Sequence, residues 1–284
     1  MVHMNLIQNQ EYFIERPLYA LKDAKVINCF FSSAKDGESA FKEAKDYEID
    51  SCTFSMRYPI WHSKNFRVTN TTFDDLSRAG IWYCKDGHIN KVTINGVKYL
   101  RESSNIKFEE CTINSEEFGW RSKNVSINKC ELHGPYVLFE SSDIEMSNVT
   151  MSGKYSYQYT KNLHMNSCTL DTKDAFWHSE DAVIENCTIK GEYLGWYSKN
   201  LVLRNCKIIG TQPLCYCKNL KIINCEFINA DLAFEYSEVN GNIIGSMISI
   251  KNGKSGTITL DSVDEIILSD SIMSTNLVIK QRNK

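Results

Sequence analysis

Residues 158–214 consist of three successive 19-residue segments: QYTKNLHMNSCTLDTKDAF (158–176), WHSEDAVIENCTIKGEYLG (177–195) and WYSKNLVLRNCKIIGTQPL (196–214). In each segment an Asn or Asp is followed by two inward positions two residues apart, and a cysteine comes later. Inward positions that recur every second residue predict strands and not a helix. The period of 19 extends in both directions through the residues that open each segment, which we call the tryptophan column: Trp82, Arg101, Trp120, Phe139, Gln158, Trp177, Trp196, Cys215 and Phe234, with Tyr19, Phe41 and Trp61 preceding them at longer spacing.

A 19-residue segment with two or three short strands cannot bury its apolar face alone, so the segments must stack on one another. Each strand then pairs in parallel with its copies in the turns on either side. The sequence therefore predicts an all-β fold, a parallel β-helix (solenoid) of about twelve turns. The expected boundaries are an N-terminal cap over 1–18, the repeats over 19–244, and irregular C-terminal turns with a cap over 245–284.

Two further columns have structural explanations. The recurring Asn and Asp residues suit sharp turns, where their side chains hydrogen-bond to the backbone and to one another. Most of the eleven cysteines recur at one position of the repeat, where parallel, in-register side chains do not readily reach the ~90° torsion of a disulfide. We interpret them as reduced core residues. Zinc sites usually contain C-x-x-C pairs, and this chain has none, only Cys215 and Cys217 in a single strand, so we predict no metal site and no cofactor.

Composition narrows the range of partners and compartments. The formal net charge is −3, from 32 basic and 35 acidic residues spread along the chain. That balance provides no basic stripe for nucleic acid. No apolar run approaches the ~20 residues that cross a bilayer, and residues 1–19 are too polar for a signal peptide. We therefore expect a cytoplasmic protein that binds neither nucleic acid nor membrane.

Three short stretches carry a resemblance to a known family: ERPLY (15–19), WHSKN (61–65) and GWYSKNL (195–201). With them the chain resembles the bacterial domain of unknown function 3737 over almost its whole length. The resemblance implies a single-stranded, right-handed β-helix of the pectin-lyase-like type and supplies no established activity. Of the catalytic segments that pectin-degrading relatives use, only an Asp-Asp pair, Asp74-Asp75, occurs here, and a solvated loop explains it equally well.

The residues that directly follow the tryptophan column are the candidates for function. Tyr and His side chains at strand spacing offer a flat stacking surface for an oligosaccharide, and the acidic and basic members add donors and acceptors. We predict ligand binding by Tyr159, His178, Tyr197, Tyr216, His62 and Tyr83. The alternative is a ladder that only stabilises the sheet surface, at roughly 0.2–1 kcal/mol for each cross-strand pair. We call this set the polar column: Lys42, His62, Tyr83, Glu102, Arg121, Glu140, Tyr159, His178, Tyr197, Tyr216 and Glu235.

Catalysis has weaker support. If the protein is an enzyme, we expect a carbohydrate-active hydrolase or lyase, with Glu102, Arg121 and Glu140 as candidates. Glu102 and Glu140 are two turns apart, which would place their carboxylates at roughly 9.6 Å, near the upper limit for inverting glycosidases. Arg121 lies between them and favours the ionised form of both, whereas a glycosidase needs one of the two to donate a proton. The Trp-His-Ser triplets at His62 and His178 form no Ser-His dyad, because neighbours in a strand face opposite ways. The other function class is a scaffold for partner proteins.

Two structural expectations remain. The five tryptophans are predicted to form an interior stack. Arg101 and Gln158 interrupt it, which indicates a solvent-accessible stretch or a cleft. At the ends of the coil the repeat degrades, and poor capping there would permit a homodimer, end to end or side by side.

Overall fold

A computed structural model describes residues 4–32 and 38–282. The chain is an all-β parallel β-solenoid of about 14 turns, without a helix in the described ranges, so the predicted fold class is confirmed. The prediction of about twelve turns was slightly low, because strands outside 19–244 pair in parallel too, from Asn5 with Ala24 to Thr257 with Val278. Residues 1–3 and 283–284 of the predicted caps lie outside the described residues, and the cap boundaries stay predictions.

The chain divides into two compact units, Met1–Glu145 and Met146–Lys284, here called the N-terminal and C-terminal units. The strands of the N-terminal unit are β1 (Asn5–Gln8), β2 (Glu11–Tyr12), β3 (Lys22–Ile27), β4 (Phe30–Ser32), β5 (Lys45–Asp50), β6 (Thr53–Ser55), β7 (Ile60–Trp61), β8 (Lys64–Thr69), β9 (Thr72–Phe73), β10 (Ile81–Trp82), β11 (Lys85–Asn90), β12 (Thr93–Ile94), β13 (Leu100–Arg101), β14 (Ser104–Glu109), β15 (Thr112–Asn114), β16 (Lys123–Asn128) and β17 (Glu131–His133).

Strand β18 (Ser142–Ser147) spans the division between the units. The strands of the C-terminal unit are β19 (Thr150–Lys154), β20 (Lys161–Asn166), β21 (Thr169–Lys173), β22 (Glu180–Glu185), β23 (Thr188–Lys190), β24 (Val202–Arg204), β25 (Lys207–Ile209), β26 (Leu220–Ile228), β27 (Glu238–Ile244), β28 (Ser246–Lys251), β29 (Ser255–Leu260), β30 (Ser262–Ile267) and β31 (Val278–Gln281).

Most turns use two strands and a connecting segment, and three turns of the N-terminal unit add a third short strand, β7, β10 or β13. The register of the pairs repeats the sequence columns. In the C-terminal unit Met165 of β20 pairs with Ile184 of β22, and Leu170 of β21 pairs with Ile189 of β23. All four side chains are buried. The prediction of inward positions two residues apart is confirmed, since successive residues of a strand point to opposite faces and every second residue points to the same face.

The Asn and Asp residues at the start of these strands have left-handed backbone, as at Asp181 (φ 55°) and Asn200 (φ 55°). This conformation is least costly for Gly, Asn and Asp. Neighbouring turns are joined there by side chains: Asn200 Nδ2 donates to Asp181 Oδ1 at 2.7 Å, and Asn219 Nδ2 donates to Asn200 Oδ1 at 2.8 Å. In the N-terminal unit Asn105 donates to Asp86 in the same way, at 2.7 Å.

All eleven cysteines are buried and free, so the prediction that they are core residues is confirmed. Cysteines of successive turns meet directly: the backbone N–H of Cys168 donates to Cys187 Sγ at 3.3 Å, and that of Cys206 to Cys225 Sγ at 3.4 Å. Where a thiol packs away from other cysteines, burial raises its pKa, to about 12 for Cys84. A thiol that stays protonated is a poor nucleophile.

Candidate functional site

The polar column faces solvent, as predicted. Tyr83 is 40% exposed, and Tyr159 and Tyr197 are 46% exposed. The small residues that follow them are buried, among them Cys84, Thr160 and Ser198. In each unit the column therefore forms an outward ridge backed by small buried residues.

Two members of the predicted column, Lys42 and Glu235, are wrong. The backbone N–H of Glu43 donates to the Trp61 carbonyl, as that of His62 donates to the Trp82 carbonyl. Glu43 therefore aligns with His62, and Lys42 aligns with Trp61, over whose ring its ammonium lies at 5.4 Å.

The backbone N–H of Tyr216 donates to the Glu235 carbonyl at 2.7 Å, so Glu235 aligns with the tryptophan column, and left-handed Tyr236 (φ 53°) aligns with Tyr216. Both errors arose because Phe41 and Phe234 were assigned to the tryptophan column, whereas both are fully buried in the core.

In the C-terminal unit four members of the polar column form a continuous set of stacked rings, the ring stack: Tyr159, His178, Tyr197 and Tyr216. Successive ring centroids lie 4.8, 4.9 and 4.7 Å apart, with interplanar angles of 8°, 6° and 10°. Carbon atoms in contact are about 3.5–4.0 Å apart, so parallel rings at the larger spacing stack with an offset. The exposed surface of the ring stack consequently consists of ring edges and of the parts of ring faces that the offset leaves uncovered.

All four residues of the ring stack have left-handed backbone, with φ of 56°, 54°, 60° and 61°. For bulky L-residues this conformation costs roughly 1–2 kcal/mol each relative to the right-handed region. Two other corners of the same turns use residues that tolerate it better: Asn162, Asp181, Asn200 and Asn219 at one, and Asn186, Asn205 and Asn224 at the other. Bulky residues also occupy a buried left-handed corner of these turns, at Tyr157, Phe176 and Leu214. The ring stack differs from the other corners because its aromatic side chains point outward and stack on one another.

The tryptophans are not in the interior, so that prediction was wrong. Trp177 is half-buried on the outside, between buried Phe176 and exposed His178. The left-handed backbone of His178 (φ 54°) breaks the alternation of a strand, and two successive residues therefore point outward. The indole N–H groups of four tryptophans each donate to the backbone carbonyl 16 residues later in the sequence. For example, Trp177 Nε1 donates to Tyr193 O at 2.6 Å, and Trp196 Nε1 donates to Gln212 O at 2.8 Å.

Gln158 and Arg101, the two interruptions of the tryptophan column, replace indoles in different ways. Gln158 is only 9% exposed, against the prediction of solvent access, and its Nε2 donates to Asp174 O at 2.8 Å, again 16 residues later. Arg101 lies between two tryptophans, its guanidinium carbon 5.1 Å from the Trp82 ring centroid and 5.5 Å from that of Trp120. A planar cation over aromatic faces is attracted to both.

We expect Arg101→Ala to lower the free energy of unfolding of the N-terminal unit by about 1–2 kcal/mol, because two cation–π contacts of roughly 0.5–1 kcal/mol are lost. Urea denaturation followed by tryptophan fluorescence measures this change. Arg78→Ala, at an exposed loop position, is the control and should change it by less than about 0.5 kcal/mol. Equal effects of the two substitutions would contradict a stacked Arg101.

The predicted catalytic candidates form ion pairs in the N-terminal unit. Arg121 Nε contacts Glu140 Oε2 at 2.6 Å, and Glu102 Oε1 lies 3.6 Å from Arg101 Nε. The hydrogen bond and the charge of Glu140 raise the pKa of Arg121 further above its ordinary value. Each carboxylate therefore faces a guanidinium, which suits a surface ladder better than a proton donor. His62 and Tyr83 of the same unit stack at 4.9 Å and 18°.

A cluster that the sequence did not predict ends the ring stack. Tyr216 Oη donates to Glu235 Oε2 at 3.4 Å, and Lys251 Nζ contacts Glu235 Oε1 at 2.9 Å. Burial, and then the charge of Glu235, raise the pKa of Tyr216 to about 12. The sequence analysis missed Lys251 because the spacing between Glu235 and Lys251 is shorter than the 19-residue period. The regular period no longer holds in this part of the chain.

Within the described part of the chain, no group of three or more His, Cys, Asp or Glu side chains could hold a metal ion. The same residues contain no helix long and apolar enough to span a membrane.

Comparison with known proteins gives a family match. Residues 5–280 match the model of the family described as "Protein of unknown function (DUF3737)". No curated protein matches the chain. Among solved structures, the surface adhesin PfbA of Streptococcus pneumoniae is similar, with 9% identity, 90% of each chain covered and a TM-score of 0.39.

Two further solved structures are similar. The A-module of the mannuronan C-5 epimerase AlgE6 of Azotobacter vinelandii has 10% identity, with 98% of this chain and 89% of that chain covered and a TM-score of 0.37. The tailspike protein of Escherichia coli bacteriophage HK620 has 8% identity, with 97% and 72% covered and a TM-score of 0.36. Likeness at this level ties the chain to none of their activities.

Proposed function

The chain belongs to the DUF3737 family of proteins of unknown function, and from the geometry of its surface we propose that it is a glycan-binding protein without catalytic activity. The proposed ligand site is the ring stack. The observation that carries the proposal is the ring stack itself, four outward-facing rings from successive turns with centroids 4.7–4.9 Å apart. Tyrosine combines an apolar ring with a polar tip and is enriched at binding interfaces.

The offset of the rings gives the site its chemistry. Each ring exposes part of an apolar face for the C–H groups of a sugar, and the phenol hydroxyls and the imidazole add donors and acceptors. The pattern repeats every 4.7–4.9 Å along the stack. A regularly repeating chain of sugars, lying along the stack, is the ligand that such a surface suits.

We include the absence of catalysis in the proposal because the carboxylates of the polar column and beside the ring stack already form ion pairs. Glu140 is paired with Arg121, and Glu235, which contacts the end of the ring stack, is paired with Lys251 and Tyr216. A general acid must hold a proton and present it to the glycosidic oxygen. Carboxylates that accept from cations are poorly suited to that role.

We also propose a cytoplasmic location. The support is the set of eleven buried, free thiols, since proteins of reducing compartments keep cysteines unbridged.

The proposal predicts binding to an oligosaccharide on a glycan array, and loss of that binding in the triple variant His178→Asn, Tyr197→Asn and Tyr216→Asn. Asn keeps the left-handed corner while all three rings are removed. At about 0.5–1.5 kcal/mol for each ring contact, the loss in affinity should be about 10- to 1000-fold. Titration calorimetry with the glycan found on the array measures it.

The matched control carries the same kinds of substitution in the N-terminal unit, His62→Asn and Tyr83→Asn, and should bind as the wild type does. If only this control lost binding, the site would lie elsewhere than in the ring stack. Unchanged binding by a folded triple variant, or an array without any hit, would leave the rings as stabilisers of the surface. Glycan cleavage by the wild type would contradict the absence of catalysis.

A further inference from the structure

The C-terminal unit contains an apolar cavity of about 250 Å³ near its end. It lies apart from the ring stack, and the glycan proposal does not use it. Its walls come from β28, β30, β31 and the segments that follow β28 and β30. The lining residues are Ile250, Asn252, Gly253, Ile266, Leu268, Thr275, Leu277 and Ile279.

The cavity is reached from solvent through its apolar rim, because Ile266 is 46% exposed and Leu268 is 63% exposed. Leu277 reaches the opposite wall at Gly253, where an added Cβ would lie 2.5 Å from Leu277 Cδ2. A backbone hydrogen bond from Leu277 to Gly253, at 3.3 Å, holds the two segments together. The last turns therefore enclose a space that their own side chains do not fill.

Asn252 supplies a polar atom that nothing in the described chain satisfies. Its side chain is 1% exposed, and its Nδ2 donates to Ser269 O at 3.0 Å. Its Oδ1 is buried and has no hydrogen-bond partner among the described residues. Leaving a buried acceptor unsatisfied is destabilising, so a ligand that donates to this oxygen would recover stability.

We propose that this cavity binds a small apolar molecule of one ring that carries a single hydroxyl group, with the hydroxyl donating to Asn252 Oδ1. Size supports a one-ring ligand, because an apolar cavity of about 150 Å³ is enough to hold benzene. The lining is mostly aliphatic, with Asn252 and Thr275 as its two polar side chains, and this composition is typical of small-molecule sites. The chemical class is therefore that of phenols and cyclic alcohols.

The test compares two pairs of ligands that differ by the hydroxyl, phenol against benzene and cyclohexanol against cyclohexane, by titration monitored with NMR. Wild-type protein should bind the hydroxyl member of each pair. In Asn252→Gly the preference for phenol over benzene should fall about tenfold, since one buried hydrogen bond is lost. Glycine suits the left-handed backbone of Asn252 (φ 44°).

Asn229→Gly is the matched control, since Asn229 is exposed and also left-handed, with φ 52°. It should keep the wild-type preference. If Asn252→Gly does not fold, phenol must still shift the Asn252 side-chain amide and the Leu268 and Leu277 methyl signals of the wild type. The proposal is overturned by failure of every ligand to bind, by an unchanged preference in Asn252→Gly, or by shifts confined to other residues.

Discussion

Phe54→Ala is expected to lower the free energy of unfolding of the N-terminal unit by about 4 kcal/mol. Phe54 is fully buried. Its ring stacks on Phe31 with centroids 4.6 Å apart and on Phe73 with centroids 4.7 Å apart. Truncation therefore removes the buried area of one ring and its contacts with two others. Strand pairing holds Phe31 and Phe73 in place, so they cannot move into the gap. Chemical denaturation measures the loss.

Phe13→Ala is the matched control. Phe13 belongs to the same unit and is 50% exposed, so its truncation should cost much less, within about 1 kcal/mol. Similar losses from both substitutions would mean that Phe54 does not lie in a packed column, and would contradict the register of the N-terminal unit.

Gly241→Ala should destabilise the C-terminal unit by about 2–5 kcal/mol, from roughly 1–3 for overpacking and 1–2 for the backbone. Gly241 has φ 153°, and a Cβ there would lie 1.8 Å from the carbonyl oxygen of Ile222 in the preceding turn. That oxygen belongs to a paired strand and cannot move away without breaking the pairing. Thermal unfolding followed by circular dichroism, combined with urea denaturation, measures the effect.

Gly245→Ala separates the two causes. Gly245 is also left-handed, with φ 84°, but nothing lies within 4 Å of an added Cβ. Only the backbone cost of roughly 1–2 kcal/mol should remain. Equal stability of the Gly241→Ala and Gly245→Ala variants would contradict the close approach of the Ile222 carbonyl oxygen to Gly241.

The regular part of the solenoid could be predicted from sequence because equivalent positions recur there at one constant period. Cys168, Cys187 and Cys206 predicted their own stacking, and alternation predicted the buried faces of β20 and β22. The additional turns escaped prediction because the pairings near the C terminus are irregular. Ser246 pairs with Ser262 at a spacing shorter than the repeat, and Thr257 pairs with Val278 at a longer one. A column search that assumes one period loses such turns.

The candidate site was predicted in part. Residue types and spacing predicted that Tyr197 and Tyr216 lie on one outward ridge. The prediction that Trp177 points inward was wrong, because it assumed that side chains alternate between the two faces as they do in an extended strand. The left-handed His178 (φ 54°) turns two successive side chains outward. The role of Arg101 also needed coordinates, since a sequence does not say whether a cation in an aromatic column points to water or lies between rings.

The most direct test of the account is whether rings from successive repeats of the sequence are in contact at the ring stack. In deuterated protein with protonated Tyr and His, nuclear Overhauser effects report ring protons that lie close together. We predict contacts from His178 to both Tyr159 and Tyr197, and from Tyr197 to Tyr216, as centroid separations of 4.7–4.9 Å require. Missing contacts between these pairs, or contacts from His178 to rings elsewhere in the sequence, would contradict the stacking of the turns and the site built on it.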